Sequence, residues 1–186
     1  MKLILWGVLG VVVLTAMYYW TTYNDLVTVH ENVDNQWAQV EIQYQRRFDL
    51  IPNLVQSVKG IIAQEQSIFT AIADARTRYA GANNANEKAT AATEVEGALA
   101  RLLVVMENYP ELTSSENVQT LMVQLEGTEN RISVERKRYN DLVRDFNVKI
   151  KKVPATWIAA SLGYTEKKYF EVVAGGDVTP AVNLID

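Results

Sequence analysis

Residues 3 to 20 read LILWGVLGVVVLTAMYYW, eighteen positions without one charged group. As a helix rising about 1.5 Å per residue, that run spans roughly 27 Å, close to a hydrocarbon core of about 30 Å. A cleaved export signal would share Lys2 and the apolar centre but would close on small residues. Here Ala16 is followed by Met17, Tyr18, Tyr19 and Trp20. The run therefore predicts an uncleaved transmembrane anchor over residues 1–22, with the lipid bilayer as its first partner. Tyr18, Tyr19, Trp20 and Tyr23 predict an aromatic belt, because amphipathic rings prefer the headgroup layer to either phase alone, and Trp6 is the aromatic nearer the other end. Lys2 and the amino terminus precede the segment, whereas residues 21–40 hold neither Lys nor Arg. That asymmetry predicts an inner-membrane protein with its N-terminus inside and its domain outside the cytoplasm.

The remaining chemistry is bounded by what the chain lacks. There is no cysteine, which removes disulfides, thiolate catalysis and zinc–thiolate sites. His30 is the single histidine, so a His-rich metal site or a second imidazole cannot be built within one chain. The formal charge of −4 leaves no basic excess for neutralising phosphates, and nucleic acid is not an expected partner. No cofactor or catalytic set is expected.

Past the anchor, Leu26, Val33, Trp37, Val40 and Tyr44 lead into Ile51, Leu54, Val58, Ile61, Ile68, Ile72 and Ala75 at spacings of three, four and seven. That is a helix stripe rather than strand alternation. Gly81, Asn83 and Asn84 supply a stop and a loop, and a further helix runs from about Asn86 to Pro110. Thr113 and Glu116 have capping-box spacing ahead of a last helix from about Ser115 to Lys151. Its expected buried side is Val118, Leu121, Leu125, Ile132, Tyr139, Leu142, Phe146 and Ile150. The fold class is all-α: an anchor, then an antiparallel up-and-down bundle over residues 23–171, then an irregular tail over 172–186. YNDLV occurs at 23–27 and again at 139–143, and in such a bundle both copies are expected at the membrane end. The apolar WIAASLG after Pro154 is too short to cross a bilayer and could graze its surface; packing on the bundle is the reading taken.

Three constellations have a chemical and a structural reading. Glu126 and Glu129 share a helix face like half of a carboxylate metal motif, but no Glu-x-x-His follows, which favours a solvated face or pairing with Arg131 or Arg101. Between them Gly127 is expected to mark a close helix approach. In RRFDLIPNLV, the arginine pair with Asp49 could hold an anion, yet Asp49 three residues before Pro52 also suits the cap of a new helix. A continuous kinked helix would preserve the stripe; a sharp turn is the expectation taken. That turn would put Arg46, Arg47 and Asp49 at the far end of the bundle, as candidate partner-binding residues. His30 reads as a satisfied interface residue, and Trp157 and Tyr109 as core or loop anchors.

The anchor, YNDLV, VDNQWAQVEIQYQRRFDLIPNLVQSVKG, GALARLLVVMENYPEL, LEGTENRI and RYNDLVRDFN occur in the order found in the LemA family of bacterial membrane proteins, which the chain resembles over roughly residues 20–171. Phe48 stands where that family usually has histidine, so any role for a histidine there is absent. The resemblance implies a long-helix bundle on a single-pass anchor, with no established catalytic residues. Relatives include a protein needed for magnetosome membranes, and family members often occur beside membrane metalloproteases or TPM-domain proteins. The family is also described with the opposite orientation, which leaves the side of the membrane open.

The expected function is a non-enzymatic scaffold or adaptor of the bacterial envelope, acting through self-association as a homo-oligomer or through other membrane proteins. The alternative is a regulator of a membrane protease or envelope-stress pathway. A hydrolytic or ligand-binding enzyme would need Arg46, Arg47, Asp49, Glu126 and Glu129 to converge in one pocket.

Overall fold

A computed structural model describes residues 1–170, so the tail expected over 172–186 lies outside the described residues. Those residues form six helices and no strand: α1 Lys2–Val58, α2 Gln66–Gly81, α3 Ala85–Met106, α4 Pro110–Thr113, α5 Glu116–Lys151 and α6 Ala155–Ser161.

The expected turn at Asp49–Pro52 is not there. α1 is a single helix of 57 residues with Pro52 inside it, and the chain reverses only at residues 59–65. Proline in a helix interior costs about 3 kcal/mol through the lost amide and the clash with the preceding turn. Continuing the helix keeps Ile51, Leu54 and Val58, all fully buried, on the same seam as Val40 and Tyr44. Each such side chain contributes about 1.5–3 kcal/mol, so the seam outweighs the proline. Pro52 itself lies on the exposed side, where water can serve the freed Phe48 carbonyl. Asp49 caps nothing; it accepts a hydrogen bond from Gln45 at 2.8 Å, one turn back.

Cross-helix bonds fix the topology. Asp25 pairs with Lys149, Gln36 with Glu135 and Ser57 with Asn117, so α5 runs antiparallel to α1 along its whole length. Phe48 meets Tyr79 ring to ring, which sets α2 antiparallel to α1, and Lys88 reaches Glu41, which sets α3 parallel to it. Because α3 begins beside residue 41, the four-helix part occupies only the half of the domain distant from the anchor. Nearer the anchor, α1 and α5 form a two-helix stem.

α6 and residues 162–170 complete that stem. Gly163, at φ +70, lets the Tyr164 N–H reach back to the Ala159 carbonyl at 3.0 Å, a Schellman ending that turns the chain onto the stem. Tyr164 stacks on His30 at 4.4 Å and meets Phe146 edge-on; further along, Phe170 stacks on Trp37 at 5.3 Å. His30 is thus an interface residue, its Nδ1 3.3 Å from Asp34.

Several local expectations need correction. Ile61 is exposed and Ile62 is fully buried, since the helix has ended and the chain is turning. Pro110 opens α4 rather than closing α3, which stops at Met106. The α5 N-cap falls on Ser115, which makes no side-chain capping bond. The reciprocal cap forms instead at α3: Asn84 Oδ1 accepts the Glu87 N–H at 3.0 Å, and Glu87 accepts the Asn83 N–H at 2.8 Å. Gly127 is no close approach, because a Cβ there would meet nothing within 4 Å. The YNDLV copies share the stem but not a level: Asp25 of the first pairs with Lys149, while Tyr139 of the second meets Trp37.

Candidate functional site

Arg47 is where sequence and structure differ most usefully. Residues 26, 33, 40, 47 and 54 are seven apart on α1, and all five are buried, so Arg47 occupies a core position that Leu26, Val33, Val40 and Leu54 fill elsewhere. Its Nη1 lies against the Glu129 carboxylate of α5 and 3.3 Å from the Glu96 carboxylate of α3. Arg136, from α5, gives Nη2 to the same Glu96 and donates through Nε to the Tyr44 hydroxyl at 2.9 Å. Two arginines, two glutamates and a tyrosine from three helices therefore form one network near the point where the stem becomes four helices.

Burial shapes this cluster. It pushes the Tyr44 hydroxyl up to about 12, against the opposing pull of Arg136. Burial also works against the Arg136 charge, but its contacts with Tyr44 and Glu96 outweigh this and hold its pKa above the usual arginine value. Tyr44 and Phe48 stack on each other and both take Tyr79 edge-on, with burial raising Tyr79 as well. Phe48 is thus a core ring; an imidazole at that place would sit in an aromatic cluster.

Beside Arg47, α3 and α5 stand apart over a groove of about 360 Å³. Leu99 and Leu103 line it from α3, and Met122, Val123, Leu125, Glu126 and Glu129 from α5. Val123 is largely exposed at its rim. Of the five groups an enzyme reading requires, Arg47, Glu126 and Glu129 meet at this groove, while Arg46 and Asp49 face solvent on α1. The arginines do not stand at the far tip either: Arg47 lies eleven residues before the end of α1, roughly 16 Å short of it. Glu129 pairs with Arg47 rather than with Arg131 or Arg101. Among the described residues no group of three or more His, Asp or Glu is disposed to hold a metal ion.

Glu96 and Arg136 are not singled out by the sequence, and Tyr44 reads there only as part of the apolar stripe. The available signal was a charge at a heptad core position: Arg47 among the apolar residues of α1 calls for buried carboxylates opposite. Trp157 also departs from its expected role as an anchor, since α6 buries Ala155, Ile158 and Ala159 and turns Trp157 outward, 69% exposed.

The family profile described as LemA family matches residues 36–184. The magnetosome proteins MamQ 1 and MamQ 2 of Paramagnetospirillum magneticum are each 28% identical over 186 aligned positions, covering 86% of this chain and 68% of theirs. Magnetosome protein MamQ of Magnetospirillum gryphiswaldense is 26% identical, covering 94% of this chain and 76% of its own.

Proposed function

The chain belongs to the LemA family, and from that premise we propose that it is a membrane-anchored, non-enzymatic scaffold or adaptor of the bacterial envelope. The observation that carries this reading is the continuity of α1. Its first turns form an apolar run of spanning length, and the same helix continues into the bundle core without a linker. From residue 22 to the end of α1 is roughly 55 Å, so such a helix holds the four-helix part at a set height above the bilayer. A second support comes from the charged groups. Arg47, Glu96, Glu129 and Arg136 pair with one another, as groups that fix helix register do, and the apolar groove beside them suits association rather than chemistry. The relatives named as magnetosome proteins support a membrane setting.

In this reading the anchor lies in the cytoplasmic membrane with the bundle on the extracytoplasmic side, and the bundle associates with further copies or with other membrane proteins. Chemical cross-linking in native membranes, over a range of expression levels, tests the association. Discrete dimers or higher oligomers, or a stable adduct with a second protein, are expected; monomer alone at every level contradicts it. Protease accessibility in intact and opened cells tests the side, with digestion in intact spheroplasts expected.

A further inference from the structure

The reversal between α5 and α6 lies at the same level as the aromatic belt of α1. Lys149, two residues before the end of α5, pairs with Asp25 at 2.7 Å. The antiparallel register then carries residues 152–157 alongside or beyond Tyr23, towards the span. The chain comes back up only later, with Tyr164 on His30. At this end α1 exposes Tyr18, Tyr19, Trp20 and Tyr23, with Tyr19 and Tyr23 stacked at 6.4 Å.

The reversal matches that belt chemically. Val153, just before α6, is 70% exposed and Trp157 69%, although Ala155, Ile158 and Ala159 of the same short helix pack inward. Lys149 and Lys151 are paired, with Asp25 and Glu166; Lys152 is exposed and has no ion pair among the described residues. A lone exposed apolar side chain needs no explanation. Here a tryptophan, a valine and an uncommitted lysine share the short segment that the fold delivers to the predicted headgroup layer. Indole rings favour that layer, and lysine beside it is drawn to anionic lipid.

We propose that Lys152, Val153 and Trp157 form a second membrane contact: the α5–α6 reversal sits in the headgroup layer of an anionic bilayer, Trp157 and Val153 inserted and Lys152 over lipid phosphates. This rests on the anchor reading of residues 1–22. The contact would steady the stem, because a bundle fixed at two points cannot swivel about a single helix.

The test uses the full chain in lipid nanodiscs of phosphatidylcholine and phosphatidylglycerol, carrying lipids brominated near the carbonyl. The native tryptophans are Trp6, Trp20, Trp37 and Trp157, and replacing three at a time by phenylalanine leaves one reporter. Trp157 alone is expected to be quenched severalfold more by brominated lipid than Trp37 alone, and to be shielded from aqueous acrylamide. Lys152→Glu, or omission of the anionic lipid, should reduce that quenching while leaving Trp6 unaffected. Trp157 open to acrylamide and untouched by brominated lipid, with Trp6 quenched, overturns the second contact and leaves the anchor standing. Trp6 unquenched overturns the anchor itself. Trp157 quenching that is equal with and without anionic lipid overturns the lipid class. Since the chain has no cysteine, Val153→Cys carrying a nitroxide gives a second reading in the native tryptophan background. Access to oxygen exceeding access to a nickel chelate is expected there, and the reverse contradicts insertion.

Discussion

Asn147 holds Lys167 by both of its backbone atoms: the side-chain oxygen accepts the Lys167 N–H at 2.9 Å, and the side-chain amide donates to the Lys167 carbonyl at 2.9 Å. Seven residues along α5, Asn140 does the same to Phe170, at 2.8 and 3.1 Å. A heptad of helix advances about 10.5 Å and three extended residues about 10 Å, so the two spacings agree and the strap lies in register with α5. Arg136 reaches the same strap, its guanidinium over the Phe170 ring.

Asn147→Ala removes both bonds of a buried clamp. It should destabilise the domain by about 2 kcal/mol, near 1 kcal/mol for each net hydrogen bond. Amide exchange at Lys167 should quicken by about tenfold or more, with the α3 core amides slowed or quickened no more than global stability dictates. Unchanged exchange at Lys167 would show that the strap is held by its aromatic contacts alone.

Arg47→Ala leaves Glu129 without its cation, while Glu96 keeps Arg136. Breaking a fully buried pair costs about 3–5 kcal/mol. Because the Glu129 side chain is 43% exposed, a loss of about 2–4 kcal/mol in urea unfolding is expected. Removing charge from both sides, as Arg47→Met with Glu129→Gln, should recover more than half of it. A single variant within 0.5 kcal/mol of wild type, on the scale expected of surface changes, would contradict the core role assigned to Arg47.

Alkaline pH should weaken the fold through Tyr44. Its hydroxyl titrates near 10 when unfolded and is pushed to about 12 by burial in the fold. The unfolded chain therefore releases its proton first. The stability due to this site is complete below pH 10 and falls as pH rises from 10 to 12. With about 1.4 kcal/mol per unit, the loss is on the order of 2–3 kcal/mol. Tyr44→Phe should flatten this part of the profile, at a cost near neutrality because Arg136 Nε loses its acceptor. An equally steep profile in Tyr44→Phe would assign the effect to other groups.

Gly127 lies inside α5 with open space around it and no positive φ. Gly127→Ala should therefore stabilise the protein by up to about 1 kcal/mol, raising the urea midpoint without changing the slope. Destabilisation would mean that a neighbour, in an assembly for example, approaches this face.

Much of this architecture was legible. The helix stripes, the loop at Gly81–Asn84 and the end of α5 at Lys151 follow from periodicity and stop signals, because they depend on short-range spacing. The path through Pro52 was not legible, since it is decided by a long-range seam with α5 whose gain exceeds the local cost of proline. The strap is not legible for a related reason: its binding groups are two asparagines, Asn140 and Asn147, whose partners are backbone atoms that carry no sequence signature. Arg47 stands out in the sequence through its neighbours Arg46 and Asp49, whereas the signal that matters is its place in the heptad of α1. The fold also brings Lys149, Lys151 and Lys152 to the anchor's domain side, which the segment over 21–40 did not disclose. Orientation is set by residues flanking the span as it inserts, so these late lysines weigh little in that rule.

One helix, α1, runs from the apolar N-terminal segment into the bundle core. Asn24 and Lys59 are both exposed, one at the start of the stem and one just past the end of α1. Cysteines at these two positions, spin-labelled in the full chain in nanodiscs, report the distance by double electron–electron resonance. A continuous helix of 35 intervening steps predicts a narrow distribution near 50 Å. A turn at Asp49–Pro52 would fold residue 59 back beside the stem and give a distance nearer 30 Å, and that result would contradict the account.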